Sequence, residues 1–176
     1  MLTSFLLLIS TFLMPSAPAD TTKNDGWKKL EVKEYIVEYP AAWAVDTSGN
    51  SGMDFIISSP FTDEEDIYND FVNIAVMPMY GLGKTLDTYV DEVVRDIPFF
   101  YSKAIITKNK KETKAGKPCY VLTYAGILNT FPIAMHQYIW FEHEKTYTLT
   151  FTAEQGSFEK WFTDAERIMN SLQFKN

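Results

Sequence analysis

Two histidines and one cysteine are the chain's only imidazoles and its only thiol. His136 and His143 stand seven residues apart in or beside one strand-like run. An odd separation puts two side chains on opposite faces of a regular strand, so these two cannot share a metal. His143 lies in a turn between Glu142 and Glu144. A zinc site needs three or four converging ligands, and no spacing here supplies them. Cys119 sits among strand formers and reads as a small buried hydrophobe, with a spatial pairing to His136 left open. Oxygen ligands are more plentiful. Asp63, Glu64, Glu65 and Asp66, with Asp70, form an acidic segment of the kind calcium prefers, and equally of the kind that forms a solvated loop. Asp46 to Asp54 alternates oxygen-bearing side chains like a calcium loop, but Gly52 comes one position late and Ile57 stands where a bidentate glutamate is needed. Ser157 lacks the second glycine of a nucleophile elbow. Gly83-Lys84-Thr85 lacks the frame of a phosphate loop. The residues therefore name no catalytic group, no metal site and no cofactor.

The charge balance narrows the partners. The net charge of −7 falls on the part of the chain from Asp20 onward, which argues against nucleic acid and against a polybasic membrane contact. The one basic run, Lys108-Asn109-Lys110-Lys111 followed by Lys114 and Lys117, is interrupted by Glu112 and reads as a solvated hairpin end. No charged side chain precedes Asp20. The apolar stretch from Met1 to Met14 is shorter than the about 20 residues a membrane-crossing helix needs and suits the core of a secretory signal. Pro15 and Pro18 stop a helix, and Ala17-Pro18-Ala19 supplies a small-x-small cleavage pattern. Residues 1–19 are thus expected to be a signal peptide cleaved before Asp20. With no cysteine there to carry a lipid, the product is expected to be periplasmic or secreted, without a stable membrane anchor. Residues 20–26 read as a flexible tether and 27–176 as a single domain.

The elements that would position any site follow from periodicity. Trp27–Val32 and Tyr35–Tyr39 read as short strands, and Pro40 to Trp43 as a turn that plants an aromatic. Asp46–Gly52 reads as loop, Asp54–Ser59 as a strand stopped by Pro60, and Asp70–Pro78 as another strand. Thr85 is a plausible N-cap for a helix to about Phe100, with Leu86, Tyr89, Val90, Val93, Val94 and Ile97 on one stripe and Pro98 near its end. Four strands follow as an antiparallel meander: Lys103–Thr113, Pro118–Ile127, Phe131–Glu142 and Lys145–Thr152. Ser157 opens a last helix to Leu172, with an apolar stripe from Phe158 to Leu172. Grouped strands with two amphipathic helices at intervals give an α+β sandwich rather than a parallel fold.

The run Tyr35-Ile-Val-Glu-Tyr39-Pro40-Ala-Ala-Trp43 resembles the opening of the PsbP-like superfamily. Similar landmarks come in the same order: Phe55 to Pro60, Val72 to Val76, Thr85 to Tyr89, Gly116 to Tyr124, Gln137 to Phe141, Tyr147 to Thr152 and Ile168 to Phe174. The resemblance covers nearly the whole chain after the leader. It implies an α/β/α sandwich, an antiparallel sheet flanked by helices. The superfamily includes an extrinsic photosystem II subunit, a Ran-binding import factor and bacterial envelope proteins of the DcrB type. These are binding and assembly proteins, so the resemblance speaks to fold more than to function.

The expectation is a non-catalytic exported protein that binds an unidentified protein partner or assists assembly in the cell envelope. The alternatives are a small-ligand or glycan binder using exposed aromatics, and a metal-dependent enzyme. The candidate surface for ligand or partner is Tyr39, Trp43, Tyr68, Tyr80, Phe99, Phe100 and Tyr101, with Tyr39 and Trp43 equally able to pack the core. A concave apolar pocket would favour a ligand, and a flat exposed patch a protein.

Overall fold

The computed structural model describes residues 26–32, 34–49, 51–61 and 69–175. The leader and most of the tether lie outside these residues, as do Asp63–Asp66 and Tyr68. The strands are β1 (Trp27–Glu31), β2 (Tyr35–Pro40), β3 (Ala44–Asp46), β4 (Phe55–Ser58), β5 (Phe71–Pro78), β6 (Ser102–Lys114), β7 (Lys117–Leu128), β8 (Phe131–Glu142), β9 (Lys145–Glu154) and β10 (Gln173–Phe174). Helix α1 (Leu86–Phe100) joins β5 to β6, and α2 (Phe158–Asn170) joins β9 to β10. Seven strands form one antiparallel sheet in the order β3-β4-β5-β9-β8-β7-β6, and β1-β2-β10 form a small second sheet.

Period-two alternation gives the large sheet two different faces. Val72 and Ile74 of β5, Cys119 and Val121 of β7, Tyr138 and Trp140 of β8, and Tyr147, Leu149 and Phe151 of β9 point to one side. There they pack against Ala165, Ile168 and Met169 of α2 and against Tyr35 and Val37 of β2. The other side carries Leu122, Tyr124 and Ile139, packed under Tyr89, Val90 and Ile97 of α1. The molecule is an α+β sandwich with a helix on each face of the sheet. The second core is the smaller, and α1 lies mainly over β6, β7 and β8.

The helix starts differ from each other. Thr85 caps α1 with a reciprocal box: Thr88 N–H donates to Thr85 Oγ1 at 3.2 Å, and Thr85 N–H donates to Thr88 Oγ1 at 2.9 Å. Ser157 stands at the N-cap of α2, but its side chain makes no capping bond; its hydroxyl donates back to Glu154 O at 3.3 Å. Its backbone is already helical (φ −100, ψ −10), which turns Oγ away from the free N–H groups. Pro98 neither ends nor interrupts α1, which continues to Phe100 with Tyr101 N–H bonded to Ile97 O at 2.9 Å.

The outer strand β6 carries Lys103, Lys108, Lys110, Lys111 and Lys114, and the opposite edge, β3, is only three residues long. A charged edge and a short edge both discourage further strand pairing. The basic run lies at the end of the β6–β7 hairpin, as read, and its β6 part is also a sheet edge. Gly126 of β7 lets β6 and the end of α1 close on the sheet: a Cβ there would lie 2.8 Å from Tyr101 Cβ and 3.3 Å from Ala104 Cα. Gly126→Ala is expected to cost about 1–3 kcal/mol, since neighbouring backbone must shift. Urea unfolding at unchanged m-value measures it.

Candidate functional site

The half-covered face of the sheet produces a groove. Because α1 packs mainly on β6, β7 and β8, the β9 and β5 strips of the same face open beside it into a cavity of about 390 Å³. Its floor is Asn73 and Ala75 of β5, Thr148 and Thr150 of β9, and Gln137 and Ile139 of β8. Tyr89 and Val93 of α1, with Tyr101, form one wall, and Met53 stands on the far side. Met77 and Leu128, both exposed, lie among its lining residues. Among the described residues no Asp, Glu, Lys, Arg or His lines it. The volume falls near the small end of ligand sites, about 300–1,000 Å³.

Register places three polar side chains in one row across this floor. Asn73 pairs with Thr150, and Thr150 pairs with Gln137. The three are 6%, 7% and 9% exposed. Gln137 Nε2 donates to Thr150 Oγ1 at 3.1 Å, while Gln137 Oε1 is buried with no hydrogen-bond partner among the described residues. Asn73 Nδ2 meets the Met53 thioether, a weak acceptor, at 3.0 Å. At the α1 wall, the Tyr101 and Tyr124 rings meet edge to face at 5.5 Å, and Tyr124 OH donates to Met135 Sδ at 2.9 Å. Burial raises both phenol pKa values above their usual range, so both stay protonated. Along α1, Glu92, Asp96 and Phe100 join Tyr89, Tyr101 and Tyr124 in lining an adjoining hollow of about 340 Å³.

A larger cleft, about 840 Å³, lies where the β6–β7 and β8–β9 turns approach β10. Its charges answer one another: Lys117 pairs with Glu142 at 2.9 Å, Lys145 with Glu34 at 2.6 Å and Lys175 with Glu31 at 2.7 Å. Tyr147 OH also donates to Glu34 at 2.5 Å, and burial, then this bond, raise its pKa to about 12. Pairs closed in this way offer an incoming ion less than the groove offers a neutral molecule.

The residues with chemical potential are put to other uses. Cys119 is buried, and burial lifts its thiol pKa to about 11, which leaves it un-ionised and a poor nucleophile at neutral pH. Thr123, not Cys119, is the β7 partner of His136. Cys119 is four residues further along that strand, about 13 Å away. His143 and Glu144 form a tight turn with positive φ at both positions, as a two-residue hairpin requires. Asp46 Oδ1 accepts from Ser48 N–H at 2.7 Å, Asp54 accepts from Tyr35 OH at 2.5 Å, and Asp70 Oδ1 accepts from Glu154 N–H at 3.0 Å. The calcium-like loop thus spends both of its carboxylates on hydrogen bonds within the protein, and Asn50 lies outside the described residues. Among the described residues no three His, Cys, Asp or Glu side chains cluster to hold a metal, and no helix is long and apolar enough to cross a membrane.

The aromatics divide. Trp43 is buried, edge to face with Trp161 at 5.6 Å, and Tyr39 packs against the same core. Tyr101 lines the groove, Tyr80 is exposed near the start of α1, and Phe99 and Phe100 are 82% and 68% exposed at its C-terminal end. Sequence reasoning missed Asn73, Gln137, Thr148 and Thr150 as site residues. The signal was present as two amides inside apolar strands and a threonine at every second position from 146 to 152.

No family model and no curated protein matches the chain. Solved structures do. LpqN of Mycobacterium tuberculosis, described as involved in cell envelope biogenesis, matches with a TM-score of 0.62 at 10% identity, over 90% of this chain and 97% of its own. CyanoP, the PsbP of Synechocystis sp. PCC 6803, matches with a TM-score of 0.58 at 13% identity, over 92% of this chain and 100% of its own. The protein PA94 of Pseudomonas aeruginosa matches with a TM-score of 0.59 at 12% identity, over 82% and 94%. At these identities the likeness is one of fold: the chain has a PsbP-like α/β sandwich.

Proposed function

We propose that this chain is an exported, non-catalytic binding module of the PsbP-like kind, and that the groove between α1 and the open half of the sheet is its binding site. The observation that carries this reading is the groove itself, concave, without a charged side chain among its described lining residues, and floored by β5, β9 and β8. A rigid sheet floor is pre-organised, so little ordering is needed on binding. Export is supported by the apolar leader with its small-x-small motif, and the cell-envelope role of LpqN fits it.

The neutral dye diphenylhexatriene, which fluoresces in apolar surroundings, tests the reading. A saturable signal with the purified protein is expected. Ala75→Trp, which places an indole on the groove floor, is expected to weaken it by about tenfold or more. A signal that does not saturate, or that Ala75→Trp leaves unchanged, would remove the groove from consideration.

A second reading keeps a protein partner. Phe99 and Phe100 are adjacent and largely exposed, and Tyr80 is exposed near the other end of α1. Exposed aromatics of this kind are common anchors in protein interfaces. Loss of a crosslinked envelope partner on changing Phe99 and Phe100 together to serine, with dye binding intact, would favour this reading.

A further inference from the structure

We infer that the row Asn73–Thr150–Gln137 selects the groove's ligand as an uncharged molecule: an apolar body bearing a hydroxyl or amide group that bonds to the two carboxamides. The inference rests on the groove being the binding site. Burying amide groups without full hydrogen bonding is costly, and an apolar residue at either position would pack the floor more cheaply. Gln137 nevertheless keeps a buried Oε1 without a partner among the described residues, and Asn73 spends its Nδ2 on a thioether sulfur. Both belong to the same row, and the groove lies directly over it. The terminal torsion of glutamine is broad, so a small rotation brings Oε1 up to the cavity.

The chemistry of the lining decides the ligand class. A carboxamide offers both donors and acceptors, which suits a hydroxyl or amide better than a group with only one role. A carboxylate or ammonium seated on this floor would find no counter-charge among the described lining residues and would remain desolvated. The flanking Ala75, Ile139 and Met135 supply contact for an aliphatic or aromatic body.

Displacement of diphenylhexatriene from the whole protein tests this with dodecanol and dodecanoate as competitors. Dodecanol is expected to displace the dye at a concentration about tenfold below that of dodecanoate. Gln137→Leu is expected to lower the affinity for dodecanol severalfold relative to that for the dye, which forms no hydrogen bonds. Should Gln137→Leu fail to fold, Asn73→Leu reads the same preference from the other end of the row. Dye that binds but is displaced equally by both competitors, or dodecanol affinity unmoved by the variant, would overturn the ligand class and leave the groove standing. Dye that does not bind the unmodified protein would overturn both.

Discussion

Replacing Trp140 by alanine is expected to destabilise the fold by about 3–5 kcal/mol, a large share of the about 5–15 kcal/mol that holds a domain together. Trp140 is fully buried near the C-terminal end of β8. Its ring meets Tyr138 at 5.9 Å and Phe174 of β10 at 5.5 Å, both edge to face. Its Nε1–H donates to Lys114 O at 3.1 Å, tying the end of β6 to the core. Alanine would leave a cavity, lose the aromatic contacts and strand that carbonyl. The cavity dominates, because a single neutral hydrogen bond is worth about 1 kcal/mol. Urea unfolding gives the total. Because Phe174 loses its main ring partner on β8, β10 should also become the first segment cut by a protease, and a variant that stays as resistant as wild type there would contradict this placement.

Acidification should weaken the protein through His136. The imidazole is buried between Phe162 of α2 at 5.2 Å and Tyr138 at 5.3 Å, with Thr123 Oγ1 at 2.8 Å from Nδ1. Its Nε2 is buried with no hydrogen-bond partner among the described residues. Burial, aided by Lys108 and Lys114 and opposed by Glu112, lowers its pKa from 6.5 to about 4. The unfolded chain then binds the proton more readily than the folded one, so stability is full above the unfolded pKa and falls as pH drops toward the folded one. The loss should be about 2 kcal/mol between pH of about 7 and about 5, and about 3 kcal/mol by pH of about 4. His136→Leu removes the titrating group. Its urea midpoint should therefore be flatter than that of wild type between those first two pH values, where few carboxylates titrate. Equal slopes would show that the imidazole is free to protonate in the folded state.

Much of this architecture was readable from periodicity. The β8 limits, Phe131 and Glu142, were read as they stand, and the stripe from Leu86 to Ile97 located α1 to within a residue. Two strands escaped. β3 is three exposed residues and β10 is two, too short to show alternation, and both form because a neighbour is already in place to pair with them. The Ser157 cap failed because its backbone turns helical one residue early. The groove escaped for a different reason. It depends on how far α1 reaches across the sheet, a tertiary fact that no local pattern encodes. What the strands did carry was its floor: Thr146, Thr148, Thr150 and Thr152 alternate with Tyr147, Leu149, Phe151 and Ala153, marking one face as less apolar than the other. Tyr39 and Trp43 were ambiguous between surface and core, and a tryptophan four residues into α2 drew Trp43 inward.

The pairing of β10 with β2 also sets a clock. Gln173 and Phe174 add to a strand near the other end of the domain, Lys175 N–H donates to Glu34 O at 2.8 Å, and Glu38 N–H donates to Ser171 Oγ at 2.8 Å across 133 residues. Contacts so distant in sequence form late and slowly. Until residue 174 has been synthesised, Trp140 and Tyr147 lack the Phe174 ring that covers them. A chain still short of that residue has the core beneath Trp140 and Tyr147 open on the β10 side.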